Sequence, residues 1–159
     1  MDLYIEEYLT AYYYAKSIGV FWGSFLTINF DGEASYHCRC CTPISAPHLT
    51  PDGYISACDM VVLGEKPYHM KPFIVGKWNV EDEKFDLYEE RIKDLSNRKS
   101  TNMEHCKKCP VKLHCGGYCL GETVNETGML TGQNLVKCKA VRRLYKELGS
   151  CASYPYLHP

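Results

Sequence analysis

The sequence predicts an α+β fold, a loop-rich cysteine module built on a small β-hairpin with helices on either side. Three observations predict it. Residues 2–17 place Tyr4, Tyr8, Ala11, Tyr12 and Ala15 near helical spacing, with Ile18 next and Gly19 as a C-terminal stop. Pro51-Asp52-Gly53 stands between two short runs as a turn signature, its glycine free to take positive φ, so a hairpin closes there and ends at Cys58. Ten cysteines in 159 residues are too many and too clustered for core filling, because a free cysteine packs as a small hydrophobe and gains nothing from clustering.

The other elements follow in chain order. Residues 25–30 alternate apolar and polar as a strand, so the opening reads as helix, tight turn and strand. Half an α/β unit cannot bury its own apolar faces, and the expectation is that its sheet partners belong to a larger architecture. Residues 72–78 read as a further strand. Phe85, Tyr88, Ile92 and Leu95 share one face of a charged helix over 83–97. Gly116, Gly117 and Gly121 mark a tight loop, after which Val141, Leu144, Tyr145 and Leu148 give an amphipathic helix ending at Gly149. The expected division is 1–36 as the opening helix-strand piece and linker, 37–149 as the cysteine module and 150–159 as a tail.

Charge and hydropathy narrow the function classes. Eighteen Lys and Arg against nineteen Asp and Glu give a net charge of −1, with neither a basic footprint for nucleic acid nor a polybasic patch for a membrane surface. Residues 19–30 are too few for a membrane span and include Thr27 and Asn29. The first residues lack the basic start and apolar run of a signal peptide, so a cytoplasmic location is expected. In a reducing compartment close C-x2-C groups point to bound metal rather than to disulfides.

The cysteines fall in order as Cys38, Cys40 and Cys41, then Cys58, then Cys106, Cys109, Cys115 and Cys119, then Cys138, with Cys151 in the tail. A C-x2-C step lets two sulfurs converge while successive amides point at them, and such hydrogen bonds tune iron-sulfur clusters. Eight thiolates serve two 4Fe-4S clusters, leaving two thiols spare. Zinc in four-cysteine sites is the alternative, since tetrahedral thiolate sets suit either metal. His37, His105 and His114 each precede a cysteine, but no H-x3-5-H pair exists, which leaves them as polar neighbours or indirect hydrogen-bond donors. Asn125-Glu126-Thr127 matches a glycosylation sequon without an export signal to give it meaning.

The full pattern is C-x11-G-x4-C from Cys41 through Gly53 to Cys58, then C-x2-C-x5-C-x3-C from Cys106 to Cys119, then Cys138. In order and spacing it closely resembles the SPASM domain, the C-terminal auxiliary-cluster module of radical S-adenosylmethionine enzymes that modify peptides and proteins, including the sulfatase-maturating and peptide-maturase families. The resemblance covers Cys38 to Leu148. It implies that Cys106, Cys109, Cys115 and Cys138 hold a distal auxiliary 4Fe-4S cluster, and that Cys119 leaves its own run to join Cys41 and Cys58 at a proximal one. Cys38 is favoured as the fourth proximal ligand over Cys40, which adjoins Cys41 and would diverge from it in extended backbone. The choice among Cys38, Cys40 and Cys41 stays open, as does an iron left free for substrate.

The resemblance further implies that Asp59, which follows Cys58, is the base taking a substrate proton; the plain alternative is a surface or hairpin-closing aspartate. The C-x3-C-x2-C motif that holds the radical-generating cluster and S-adenosylmethionine occurs nowhere in the chain. Radical chemistry is therefore expected from a separate core domain, whose partial (β/α) barrel the opening helix and strand resemble. The expected partners are that core and a peptide or protein substrate, with electron transfer or substrate binding as the role. A zinc-stapled binding module without redox function is the competing class.

Overall fold

A computed structural model describes residues 1–20, 47–64 and 66–148. The expected strand at 25–30, the boundary at residue 36, His37, Cys38, Cys40, Cys41, Cys151 and the tail lie outside the described residues. What is described is an α+β fold with two apolar cores.

The first core joins the two ends of the described chain. Helix α1, Asp2–Ser17, has the predicted bounds and buries Ile5, Tyr8, Tyr12 and Ala15, spaced three or four apart. It meets α5, Leu135–Leu148, which buries Ala140, Val141, Leu144 and Leu148. Arg143 bonds Asp2 at 2.8 Å and reaches Glu6 at 3.4 Å across this seam. Exposed pairs of this kind contribute at most about 1 kcal/mol, so apolar burial holds the seam and the charges set its register. Val111 and Tyr118 complete the core from the cysteine loop, seating that loop on the helix pair.

The second core lies under a four-stranded antiparallel meander, β1 His48–Leu49, β2 Tyr54–Ser56, β3 Ile74–Asn79 and β4 Lys84–Leu87, in the order β1-β2-β3-β4. The predicted Pro-Asp-Gly turn joins β1 to β2, with Gly53 at φ +83°. The Asp52 carboxylate fixes it by accepting the Thr50 hydroxyl at 2.6 Å and the Gly64 N–H at 2.9 Å. A 3-10 helix, Tyr68–Phe73, contains Pro72 and leads into β3, which therefore starts two residues later than expected. Phe73, Ile74, Val75, Leu95, Leu120 and Val124 make this core.

The helix predicted over 83–97 divides. Residues 84–87 form β4, and only Glu89–Asn97 is helical, as α2. Asn79 decides this, since its side-chain oxygen accepts the N–H of Glu81 at 3.0 Å and of Asp82 at 3.2 Å, and Glu83 completes the turn at φ +49°. Phe85 then packs edge-on against Trp78 across the strands, ring centroids 4.9 Å apart. Tyr88, Ile92 and Leu95 still face the second core, as their periodicity requires. Gly121 is likewise not in a loop: it is the second residue of α4, Leu120–Thr127, which with α3, Lys112–Cys115, was not foreseen.

Among the described residues no helix is long and apolar enough to cross a membrane.

Candidate metal centre

Six cysteines, Cys58, Cys106, Cys109, Cys115, Cys119 and Cys138, lie among the described residues. Four of them, Cys106, Cys109, Cys115 and Cys138, line one pocket, which is the set that the family resemblance implies as distal ligands. Tight turns deliver the first two: Cys106 N–H bonds the Met103 carbonyl and Cys109 N–H bonds the Cys106 carbonyl, each at 2.9 Å. Cys115 closes α3, its N–H bonded to Val111 at 2.9 Å. Cys138 sits in the first turn of α5, its N–H bonded to Asn134 at 2.9 Å. The cavity they enclose measures about 30 Å³, and Val111, Tyr118 and Val141 supply apolar wall. Among the described residues no three His, Cys, Asp or Glu side chains stand converged on a single ion position.

Burial governs how readily the pocket's thiols ionise. Burial pushes the Cys115 thiol up to about 11, while the N–H groups of Gly117 and Tyr118 pull the other way. Burial also raises Cys106, with Cys109 and Cys138 adding to it. Four sulfur donors in one apolar-walled pocket are the donor chemistry that a thiolate-bound metal or cluster would need. His105, just before Cys106, is depressed by burial and then by Arg98 and Arg142, so it stays neutral as a neighbour.

Backbone conformation separates Cys115 from Cys119. Gly116, Gly117 and Tyr118 follow one another at φ +56°, +89° and +69°, a left-handed run that glycine permits at two of the three positions. Their carbonyls turn toward Arg98, whose guanidinium donates to Gly117 O at 2.6 Å, Gly116 O at 3.3 Å and Tyr118 O at 3.4 Å. A fourth bond runs from Arg98 Nε to Leu130 O at 3.3 Å. Cys119 then caps α4 in extended conformation. Cys115 thus lines the pocket while Cys119 does not, although both pack against the first core.

Cys58 approaches the same helix from the hairpin side. Its sulfur rests on Gly121, close enough that a Cβ there would lie 2.6 Å away. The end of the β1-β2 hairpin and the first turn of α4 thus bring Cys58 near the segment that Cys119 begins. The other proposed proximal ligands lie outside the described residues. Asp59 is exposed, its side chain 82% accessible, and its carboxylate stands 3.4 Å from His48 Nδ1. That contact lacks hydrogen-bond geometry, and both ring nitrogens of His48 are buried without a hydrogen-bond partner.

Sequence reasoning missed two residues. Arg142 lies four positions after Cys138 on α5, a spacing that shares a helix face and could have flagged it. Arg98 offered no such signal, because its partners are carbonyls of a loop distant in sequence. No protein-family model, curated protein or solved structure matches this chain.

Proposed function

We propose that the chain is an auxiliary iron-sulfur module, a SPASM-like domain that holds two 4Fe-4S clusters and serves a radical S-adenosylmethionine enzyme acting on a peptide or protein. One observation supports it most: Cys106, Cys109, Cys115 and Cys138, the distal set that the resemblance implies, line a single pocket. These four would hold the distal cluster. Cys58 and Cys119, at opposite approaches to α4, would contribute to the proximal one with Cys41 and either Cys38 or Cys40.

A bound cluster supplies one-electron transfer or, with an open iron, a Lewis-acidic contact for substrate. The chain's own residues do the rest. The Tyr118 N–H bonds the Cys115 carbonyl at 2.8 Å and holds the turn after it, Val111 and Val141 supply apolar pocket wall, and Arg98 fixes the loop between Cys115 and Cys119. Asp59, exposed beside buried Cys58, is placed in sequence to accept a substrate proton at its carboxylate.

The test is a count of iron, sulfide and zinc on anaerobically purified and reconstituted protein, with its visible spectrum. About eight iron and eight sulfide per chain support the reading. About two zinc with no iron uptake make the chain a structural zinc module instead.

A further inference from the structure

Arg98 is 3% exposed, and its described hydrogen bonds all go to backbone carbonyls. Carbonyl dipoles solvate a guanidinium without neutralising it. Among the described residues no carboxylate lies within ion-pair distance of either Arg98 or Arg142; the pairs present involve His48, Lys84, Lys107, Lys137 and Arg143. Arg142 and Lys112 line the cysteine pocket, and Arg98 lies behind its wall at Gly117. Arg98 packs so tightly on the loop after Cys115 that a Cβ on Gly117 would lie 2.7 Å from its Nη1. Arg142 lines the pocket itself, one helical turn beyond Cys138.

A buried cation is retained where an anion offsets it. Four thiolates around a 2+ cluster core leave a dianion, and one-electron reduction makes it a trianion. We infer that Arg98 and Arg142 are the counter-cations of the four-cysteine centre and raise its reduction potential, an inference that rests on the cluster reading above. A nearby cation stabilises the reduced cluster more than the oxidised one, so removing it makes reduction harder. The two contribute differently. Arg98 is buried and shielded from salt, whereas Arg142 is exposed and its field weakens as ionic strength rises.

The experiment is anaerobic reconstitution of the whole chain as wild type, R142Q, R142E, R98K and R98M. Iron and sulfide are counted first, then midpoint potentials are read by spectroelectrochemistry and electron paramagnetic resonance at low and high salt. Iron-replete R142Q should move one of the two potentials negative and R142E move it further, by a tenfold or greater change in the reduction equilibrium. Both shifts should shrink at high salt, and the second cluster's potential should stay in place. R98K keeps the charge without the planar fork and should hold its potential near wild type, while R98M moves it negative. Iron-replete R142Q and R142E with unchanged potentials, matching potentials in R98K and R98M, or iron lost from R142Q overturn the inference alone. Failure of the wild type to take up iron strikes the cluster reading beneath it.

Discussion

The sulfur of Cys58 lies against Gly121, where a Cβ would come within 2.6 Å of Cys58 Sγ and 3.0 Å of Met60 Sδ. Two effects compete in Gly121→Ala. Alanine gains up to about 1 kcal/mol in helix propensity, while overpacking a filled site costs about 1–3 kcal/mol. Because the obstructing atom belongs to a buried thiol, overpacking wins. The variant should be less stable than wild type by about 1 kcal/mol and, if Cys58 holds a cluster as proposed, should bind less iron. Equal stability with full iron would mean that Cys58 can move aside at no cost.

The β3-β4 hairpin rests on the edge-to-face contact of Trp78 with Phe85. A double-mutant cycle on Trp78→Ala and Phe85→Ala should give a coupling of about 0.5–1.5 kcal/mol beyond the two single losses. Phe85→Ala should also alter tryptophan fluorescence. Strict additivity would leave the hairpin to its backbone pairing rather than to this ring contact.

That misreading shows what a local pattern can and cannot carry. The hairpin turn was legible because Pro51, Asp52 and Gly53 specify it within three residues, and α1 and α5 were legible because each repeats its buried face over several turns. Strand β4 was not, because its identity depends on Trp78 across the sheet and on Asn79 capturing two amides. Gly121 looked like Gly116 and Gly117 in sequence, yet those two adopt positive φ while Gly121 serves close approach of Cys58 inside a helix. For the site, the family resemblance picked out four cysteines that line one pocket, whereas Arg98 is defined only by carbonyls brought to it in three dimensions.

Asp52 should give the hairpin a pH dependence. The Thr50 hydroxyl and the Gly64 N–H hold its carboxyl below the usual carboxylate range. A depressed native pKa stabilises the fold above the unfolded-state value, and the gain disappears as pH falls through the native value. Asp52→Asn should therefore be less stable than wild type at neutral pH, with the two melting temperatures converging in acid below about pH 4. A gap that is constant with pH would assign the loss to shape rather than charge.

Asp59 separates catalysis from structure cleanly, since its side chain is 82% accessible. Asp59→Asn should change stability by no more than about 0.5 kcal/mol and leave iron content intact. In the assembled enzyme with its radical-generating core, loss of a general base should slow turnover by roughly 10²–10⁴-fold. Turnover at the wild-type rate would leave Asp59 as a surface residue beside a ligand.

Cys115 and Cys138 reach the four-thiol pocket from different elements, the end of α3 and the first turn of α5, so each tests whether the pocket is one centre. If it is, removing either ligand costs the whole distal cluster rather than a single iron, and both variants converge on the same result. Cys115→Ala and Cys138→Ala should each fall from about eight to about four irons per chain. Each should also lower the melting temperature, because ligation ties α5 to the cysteine loop and binding free energy becomes folding free energy. Cys58→Ala should remove the other half of the iron, and Cys58→Ala with Cys115→Ala should leave almost none. A Cys115→Ala or Cys138→Ala protein with eight irons and an unchanged melting curve would refute the distal ligand set. A Cys58→Ala loss that overlaps theirs, instead of adding to it, would merge the two proposed sites into one.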